Sequence, residues 1–287
     1  MRIAIYCFDY GATSITGAGI YYEQLASILM QHGHFVDAYC MRSVMIDNSQ
    51  AVTVYPWRFQ EQLKKYDLIL CSPDLQQKAS KFKVPFIAIL QRELQPVPVP
   101  GLKGIIYCAE HLREKYPIRG KAMVWRPMCR LKEKTEPREF KKVVGAVNLS
   151  HSKGGKDVID LARKYPTWEF HVIHRGMRIS RPPDNMIIFE WNNDPAHMQS
   201  FYDRVSLMYL PYTSEGYNTV ALEATSQHIP VMGSSIDGLI EVVRQLCHSN
   251  LLRYDATSYQ QATNRAKNRW QEIKELNNPY QLLNFIE

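Results

Sequence analysis

The stretch SLMYLPYTSEGYNTVALEA, Ser206 to Ala224, runs from a short apolar segment through a glycine-containing loop into a second apolar segment. The first segment reads as a buried strand and the second as a helix, because its apolar positions recur at helical spacing. Asn218 or Thr219 is the candidate N-cap. The first helical turn then offers unpaired N–H groups and the positive end of the helix dipole, which suit a phosphate or a sugar oxygen. Glu215 lies on the loop and Glu223 about one turn into the helix. Two glutamates at this spacing are ordinarily solvated surface groups. Held between an apolar strand and an apolar helix, they can instead accept hydroxyl hydrogens through charge-assisted bonds.

The same alternation extends in both directions. Upstream, RIAIYC, FVDAYC, DLILC, PFIAIL and KGIIYC are compact apolar runs, with GIYYEQLASILMQHG, PDLQQKASKF and AEHLREKY between them as expected helices. A polar, basic, proline-marked stretch, WRPMCRLKEKTEPREFKK, reads as a linker. The pattern then restarts with VVGAV, KDVIDLARKY, EFHVIH, NMIIFE, DPAHMQSFYDRV, and continues through the opening stretch to IPVMG and DGLIEVVRQL. Strands alternating with helices predict parallel sheets with crossover connections. The expected architecture is α/β, with two Rossmann-like domains, 1–135 and 136–287, the second carrying C-terminal helices such as QQATNRAKNRWQEIKEL. Two facing sheet edges would leave a deep cleft, since ligands sit at the carboxyl ends of parallel strands.

The chain has 287 residues, 45% hydrophobic and 22% charged, the composition of a globular protein. No apolar run approaches a membrane span. MRIAIYCFDYG lacks the layout of a signal peptide and reads as a first strand. Four of the six cysteines close apolar runs, where a parallel sheet buries small side chains, so free thiols in a cytoplasmic protein are expected. The formal charge of +7 is uneven: residues 1–140 hold 19 Lys and Arg against 13 Asp and Glu, residues 141–287 hold 16 against 15. This fits an ordinary soluble surface, and it also fits an N-terminal half that faces something anionic.

With its neighbours, the opening stretch resembles the donor-site segment of the large retaining GT-B glycosyltransferase family that includes sucrose and glycogen synthases and many bacterial mannosyltransferases (glycosyltransferase group 1). The family's features correspond here to Pro211-Tyr212, Glu215-Gly216-Tyr217-Asn218, Glu223-Ala224, His228-Ile229-Pro230-Val231 and Asp237-Gly238-Leu239-Ile240-Glu241. Upstream, VVGAVNLSHSKGGKDVIDLARKYPTWEFHVI resembles its strand, loop, Lys-Gly and helix, with Lys153-Gly154, and SITGAGIYYEQLASILMQHGHFVDAY resembles its glycine loop and first helix.

The resemblance implies that Glu215 bonds hydroxyls of the transferred sugar and Glu223 the ribose of the nucleotide. It implies that Lys153 neutralises the diphosphate, which Gly17 and Gly19 let the backbone approach. Gly216, Asn218 and Thr219 complete the donor loop. The donor would be a nucleotide-diphosphate sugar, a UDP-sugar for preference. The chain has no D-x-D, so Lys153 and helix termini would stand in for a metal, and no obligatory metal is expected. The family's Arg ahead of the Lys is missing from VNLSHS, and Arg175 is the candidate to supply that charge. The last Gly of Glu-Gly-Phe-Gly is Asn218, and the Gly-Gly before Glu241 is Asp237-Gly238. Where relatives carry a His on the N-terminal lobe this chain has LQREL, which makes Arg92 and Glu93 the acceptor-side candidates. His111, His171, His174 and His197 have no metal-ligand spacing and read as structural or surface residues.

Three functions stay open on the sequence. The first is a retaining glycosyltransferase whose acceptor is either an anion, such as hydroxymethylated DNA of the phage type, or an envelope glycan or glycolipid. For DNA, phosphate contacts would supply affinity and the base would flip out. The others are a non-catalytic nucleotide-sugar-binding protein and a nucleotide-sugar epimerase of the same architecture.

Overall fold

The computed structural model describes residues 1–11, 17–43, 51–174, 179, 181–190 and 194–287. They form two compact units, Met1–Met128 with Asn277–Glu287, and Cys129–Leu276.

The first unit holds seven strands, β1 (Arg2–Cys7), β2 (Phe35–Cys40), β3 (Thr53–Pro56), β4 (Leu68–Cys71), β5 (Phe86–Leu90), β6 (Leu102–Tyr107) and β7 (Lys121–Val124). They pair in parallel in the order β3-β2-β1-β4-β5-β6-β7. Its helices are α1 (Gly17–Gln31), α2 (Gln76–Ala79) and α3 (Glu110–Lys115). All residues of β4 and β5 are buried, as a sheet covered on both faces requires of its central strands. The second unit holds β8 (Val143–Val147), α4 (Gly155–Lys164), β9 (Glu169–His174), β10 (Met186–Glu190), α5 (Pro195–Arg204), β11 (Leu207–Leu210), α6 (Thr219–Ser226), β12 (Val231–Gly233), α7 (Asp237–Val243) and α8 (Ala256–Ile273). Its strands are also parallel, in the order β10-β9-β8-β11-β12.

Every strand expected from an apolar run is present. The sequence pattern missed β3 and β7, both four-residue edge strands that are only partly buried and so lack a continuous apolar run. PDLQQKASKF is not one helix: Pro73–Leu75 and Ser80–Phe82 are 3₁₀ turns around the short α2. All six cysteines are free, and Cys7, Cys40 and Cys71 end β1, β2 and β4. Among the described residues no helix is long and apolar enough to cross a membrane.

The last helix, α9 (Pro279–Ile286), differs from expectation. The sequence reading kept it with residues 136–287, but it packs on the first unit. Leu282, Leu283, Phe285 and Ile286 are buried. Gly104 on β6 makes this possible, because a Cβ there would lie 2.9 Å from the Phe285 ring and 2.7 Å from the Lys121 carbonyl oxygen. Lys121 donates to the Phe285 carbonyl, and its ammonium lies 4.9 Å from the Phe285 ring centroid. At the entry to this segment Asn277 pairs with the Arg126 backbone in both directions, at 3.1 and 2.8 Å.

Candidate functional site

In the second sheet the chain proceeds from β8 outward to β9 and β10, then returns to add β11 on the other side of β8. The carboxyl ends of β8 and β11 therefore diverge at a topological switch point, where open parallel sheets bind ligands.

The loop after β8 is shaped by left-handed residues. Asn148 sits at φ 66° and accepts a hydrogen bond from the Ser150 N–H at 3.0 Å, a local turn that asparagine tolerates well. A single 3₁₀ turn, His151–Lys153, ends at Gly154 with φ 67°. A Cβ on Gly154 would lie 2.3 Å from the Pro211 carbonyl oxygen, and one on Gly155 would lie 1.9 Å from that of Leu149. Gly154 thus lets this loop nest against the loop that follows β11, and Gly155 lets the turn that carries Lys153 close on Leu149 of its own loop. Thr213 fastens the contact, donating from its N–H and its hydroxyl to the Ser152 carbonyl, each at 3.1 Å.

This nesting brings Lys153 to Glu215. The ammonium forms an ion pair with Glu215 Oε1 and lies 4.2 Å from the centroid of the Tyr212 ring. Tyr212 is fixed from below, its hydroxyl donating to the Val147 carbonyl at 2.8 Å, and burial pushes that hydroxyl's pKa well up. Both side chains of the ion pair stay about a quarter exposed.

The loop then passes close to α7. A Cβ on Gly238 would lie 2.5 Å from the Gly216 carbonyl oxygen, and Asn218 N–H donates to the Gly238 carbonyl at 3.2 Å. This explains why Gly238 is kept where the resemblance leads to expect a Gly-Gly pair. Asn218 is the N-cap of α6: its Oδ1 accepts from Ala221 N–H at 2.8 Å, and Thr219 begins the helix. Asn218 is buried, and its Nδ2 has no hydrogen-bond partner. Glu223, further along α6, is also buried. It accepts a 2.9 Å hydrogen bond from the Tyr202 hydroxyl of α5. Burial raises its pKa above the ordinary carboxylate value, and the Arg130 charge and the Tyr202 bond oppose that rise.

Lys153, Glu215, Gly216, Asn218, Thr219 and Glu223 thus belong to one unit and gather on the two loops and on α6. Gly17 and Gly19 belong to the other unit, in the first turn of α1 rather than in a loop. Arg175 lies outside the described residues. Arg92 and Glu93 part company: Arg92 pairs with Asp74 at 2.6 Å, whereas Glu93 pairs with Lys115 at 2.8 Å. Sequence reasoning named Tyr212 in the Pro211-Tyr212 pair without giving it a role, and it missed Tyr202. Tyr212 stood in plain view beside Pro211, but Tyr202 comes from another helix and no local spacing points to it. A larger groove of about 780 Å³, lined by Lys142, Glu169, His171 and Arg204 among others, lies by the amino ends of β8 and β9. That is the edge opposite the one where parallel sheets bind ligands.

No protein-family model and no curated protein matches the chain. Among solved structures it is similar to sucrose-phosphate synthase from Thermosynechococcus elongatus, with TM-score 0.70 and 14% identity over 99% of this chain and 97% of that one. It is similar to the E. coli trehalose-6-phosphate synthase bound with UDP-2-fluoro glucose, with TM-score 0.69 and 11% identity over 100% and 98%. It is also similar to TarM, with TM-score 0.58 and 13% identity over 77% of this chain and 54% of that one, so the chain spans about half the length of TarM. These neighbours are GT-B glycosyltransferases, and at such identities the likeness establishes the fold: the chain is a GT-B protein of two Rossmann-like units.

Proposed function

We propose that the protein is a retaining glycosyltransferase that moves a sugar from a nucleotide-diphosphate sugar, most naturally a UDP-sugar, to a hydroxyl acceptor. The observation that carries this reading is the meeting of Lys153 and Glu215 across two glycine-backed loops at the switch point of the second sheet. In the reaction the acceptor oxygen bonds to the anomeric carbon while the bond from that carbon to the diphosphate oxygen breaks. The electron pair stays with the diphosphate; the acceptor enters on the face that the diphosphate leaves, which keeps the configuration, and its proton passes to the departing phosphate oxygen. Positive charge aimed at the leaving oxygen is the main means by which a protein lowers this barrier. Lys153 is the group for that task. A diphosphate that takes up the ammonium frees the Glu215 carboxylate to accept sugar hydroxyls. Glu223 receives the ribose hydroxyls, Asn218 Nδ2 is a donor for a ligand oxygen, and the backbone of Gly216 and Thr219 borders the phosphates. Gly17, Gly19 and Arg175 are assigned to the diphosphate on the family resemblance alone. The UDP preference draws support from the E. coli neighbour solved with UDP-2-fluoro glucose.

Titration of nucleoside diphosphates and nucleotide sugars, followed by thermal unfolding, tests the reading. A ligand at 100 times its Kd adds about 2.7 kcal/mol of stability. A UDP-sugar should stabilise the wild type, and Lys153→Ala should weaken UDP. Indifference to every nucleotide would refute the proposal.

A further inference from the structure

The turn that carries Lys153 keeps most of its backbone hydrogen bonds within itself. Ser150 N–H donates to Asn148 Oδ1 at 3.0 Å, and the N–H groups of Lys153 and Gly155 donate to the Ser150 carbonyl at 3.0 and 3.2 Å. Gly154 N–H donates to the His151 carbonyl at 3.0 Å. Two donors just ahead of the turn leave it for β9. Asn148 N–H reaches the Ile173 carbonyl at 2.8 Å, the last backbone bond between the two segments. The chain then turns at the left-handed Asn148, and the next donor, Leu149 N–H, goes to a side chain, His174 Nδ1, at 3.2 Å. Among the described residues His174 is the only side chain from another element that accepts a backbone N–H of residues 148–155.

Leu149 and His174 are each only 6% exposed, so water cannot stand in for this acceptor, and an unmet N–H here would be costly. A backbone N–H can only donate. Nδ1 is therefore the accepting nitrogen, and the neutral ring carries its proton on Nε2. Leu149 is fixed in two further ways. Its side chain belongs to the core of the second unit, and its carbonyl oxygen lies 1.9 Å from where a Cβ on Gly155 would stand. The residue held at all three points comes directly before Ser150, whose carbonyl anchors the Lys153 turn.

We infer that His174 is a positioning residue for Lys153: its Nδ1 fixes the Leu149 amide and so sets where the following turn presents the ammonium. This rests on the glycosyltransferase reading above, in which that ammonium meets the diphosphate. His174 touches neither donor nor acceptor in this scheme. It acts through the loop.

The test titrates UDP calorimetrically into the full chain carrying His174→Leu or His174→Asn, each with and without Lys153→Ala. Leucine fills the place of the ring without an acceptor, whereas the asparagine Oδ1 falls near the position of Nδ1. His174→Leu should weaken UDP about tenfold while Lys153 is present, the loss expected for one misplaced charge-assisted hydrogen bond. In the Lys153→Ala background it should change nothing, because the two substitutions share one effect. General damage to the fold would instead persist in that background. His174→Asn should bind UDP as the wild type does, and the Leu149 amide should exchange with solvent faster in His174→Leu than in the wild type or in His174→Asn. If the leucine variant does not fold, His174→Gln takes its place, since the longer side chain carries its acceptor past the position of Nδ1. The inference is overturned if His174→Leu binds UDP as the wild type does, if its loss is the same in both backgrounds, or if His174→Asn binds no better than His174→Leu. Failure of the wild type to bind UDP would overturn the glycosyltransferase reading, and the Leu149 amide would still decide whether His174 holds the loop.

Discussion

Lys153 and Glu215 neutralise one another across two loops, so removal of either leaves its partner's charge without compensation. Lys153→Ala should weaken UDP about 10- to 100-fold, the range for a lost charge-assisted hydrogen bond of 1.5–3 kcal/mol, as read by calorimetric titration. Glu223 adds a pH dependence. Its pKa is raised by burial, with Arg130 and the Tyr202 hydroxyl opposing the rise. The carboxylate is the form that accepts ribose hydroxyls, so UDP affinity should fall as pH drops through this raised value. Tyr202→Phe removes one of the opposing effects and should move the acid limb of the UDP affinity profile to higher pH. An unmoved limb would show that Tyr202 does not tune Glu223. For stability the sign is opposite. A carboxylate raised in the folded state penalises folding above that raised pKa, and the penalty is relieved as pH falls toward the ordinary value. At this scale Glu215 and Glu223 stood out because their loop and helix follow an apolar strand, whereas Lys153 was singled out only by the family resemblance. Tyr202 did not stand out, because its contact with Glu223 is made between two helices. His174 closes a strand and could have been found by asking which polar residues end each apolar run.

The elements that hold the site are two loops kept close by glycine. Gly154 requires both a left-handed backbone and the absence of a Cβ against Pro211, and Gly155 the latter against Leu149. Gly155→Ala should cost about 1–3 kcal/mol from overpacking, read as a lower urea midpoint, and should weaken UDP as well because it forces open the turn that carries Lys153. Wild-type stability and affinity in this variant would mean that the tight turn on Leu149 is not needed. The apolar runs disclosed the central strands because burial on both faces demands uninterrupted hydrophobic sequence. Edge strands face no such demand, and β3 and β7 were silent for that reason. The sequence VNLSHSKGG showed its Lys-Gly pair, but the contact of Gly154 with Pro211 is tertiary, that of Gly155 with Leu149 belongs to a tight turn, and neither leaves a periodic trace.

At the scale of the molecule, the boundary between units was legible only roughly. The basic, proline-marked linker pointed to 135, whereas the first unit ends at Met128 and takes back Asn277–Glu287. The return of α9 depends on the fit of Phe285 over Gly104, which neither segment reveals alone. Truncation after Leu276 removes four buried apolar side chains, each worth about 1.5–3 kcal/mol at most. It should therefore lower the stability of the first unit by several kcal/mol in denaturant titration, and an unchanged unfolding curve would show α9 to be dispensable. The measurement that bears most directly on the proposed reaction is donor turnover: UDP released from UDP-sugars by the wild type and by Glu215→Ala, with the anomeric configuration of the product read by NMR. The expected result is UDP release with retained configuration in the wild type and a loss of about 100-fold or more in the variant, as for a missing transition-state contact of about 2.7 kcal/mol or more. Turnover in Glu215→Ala equal to the wild type, or a product of inverted configuration, would contradict it.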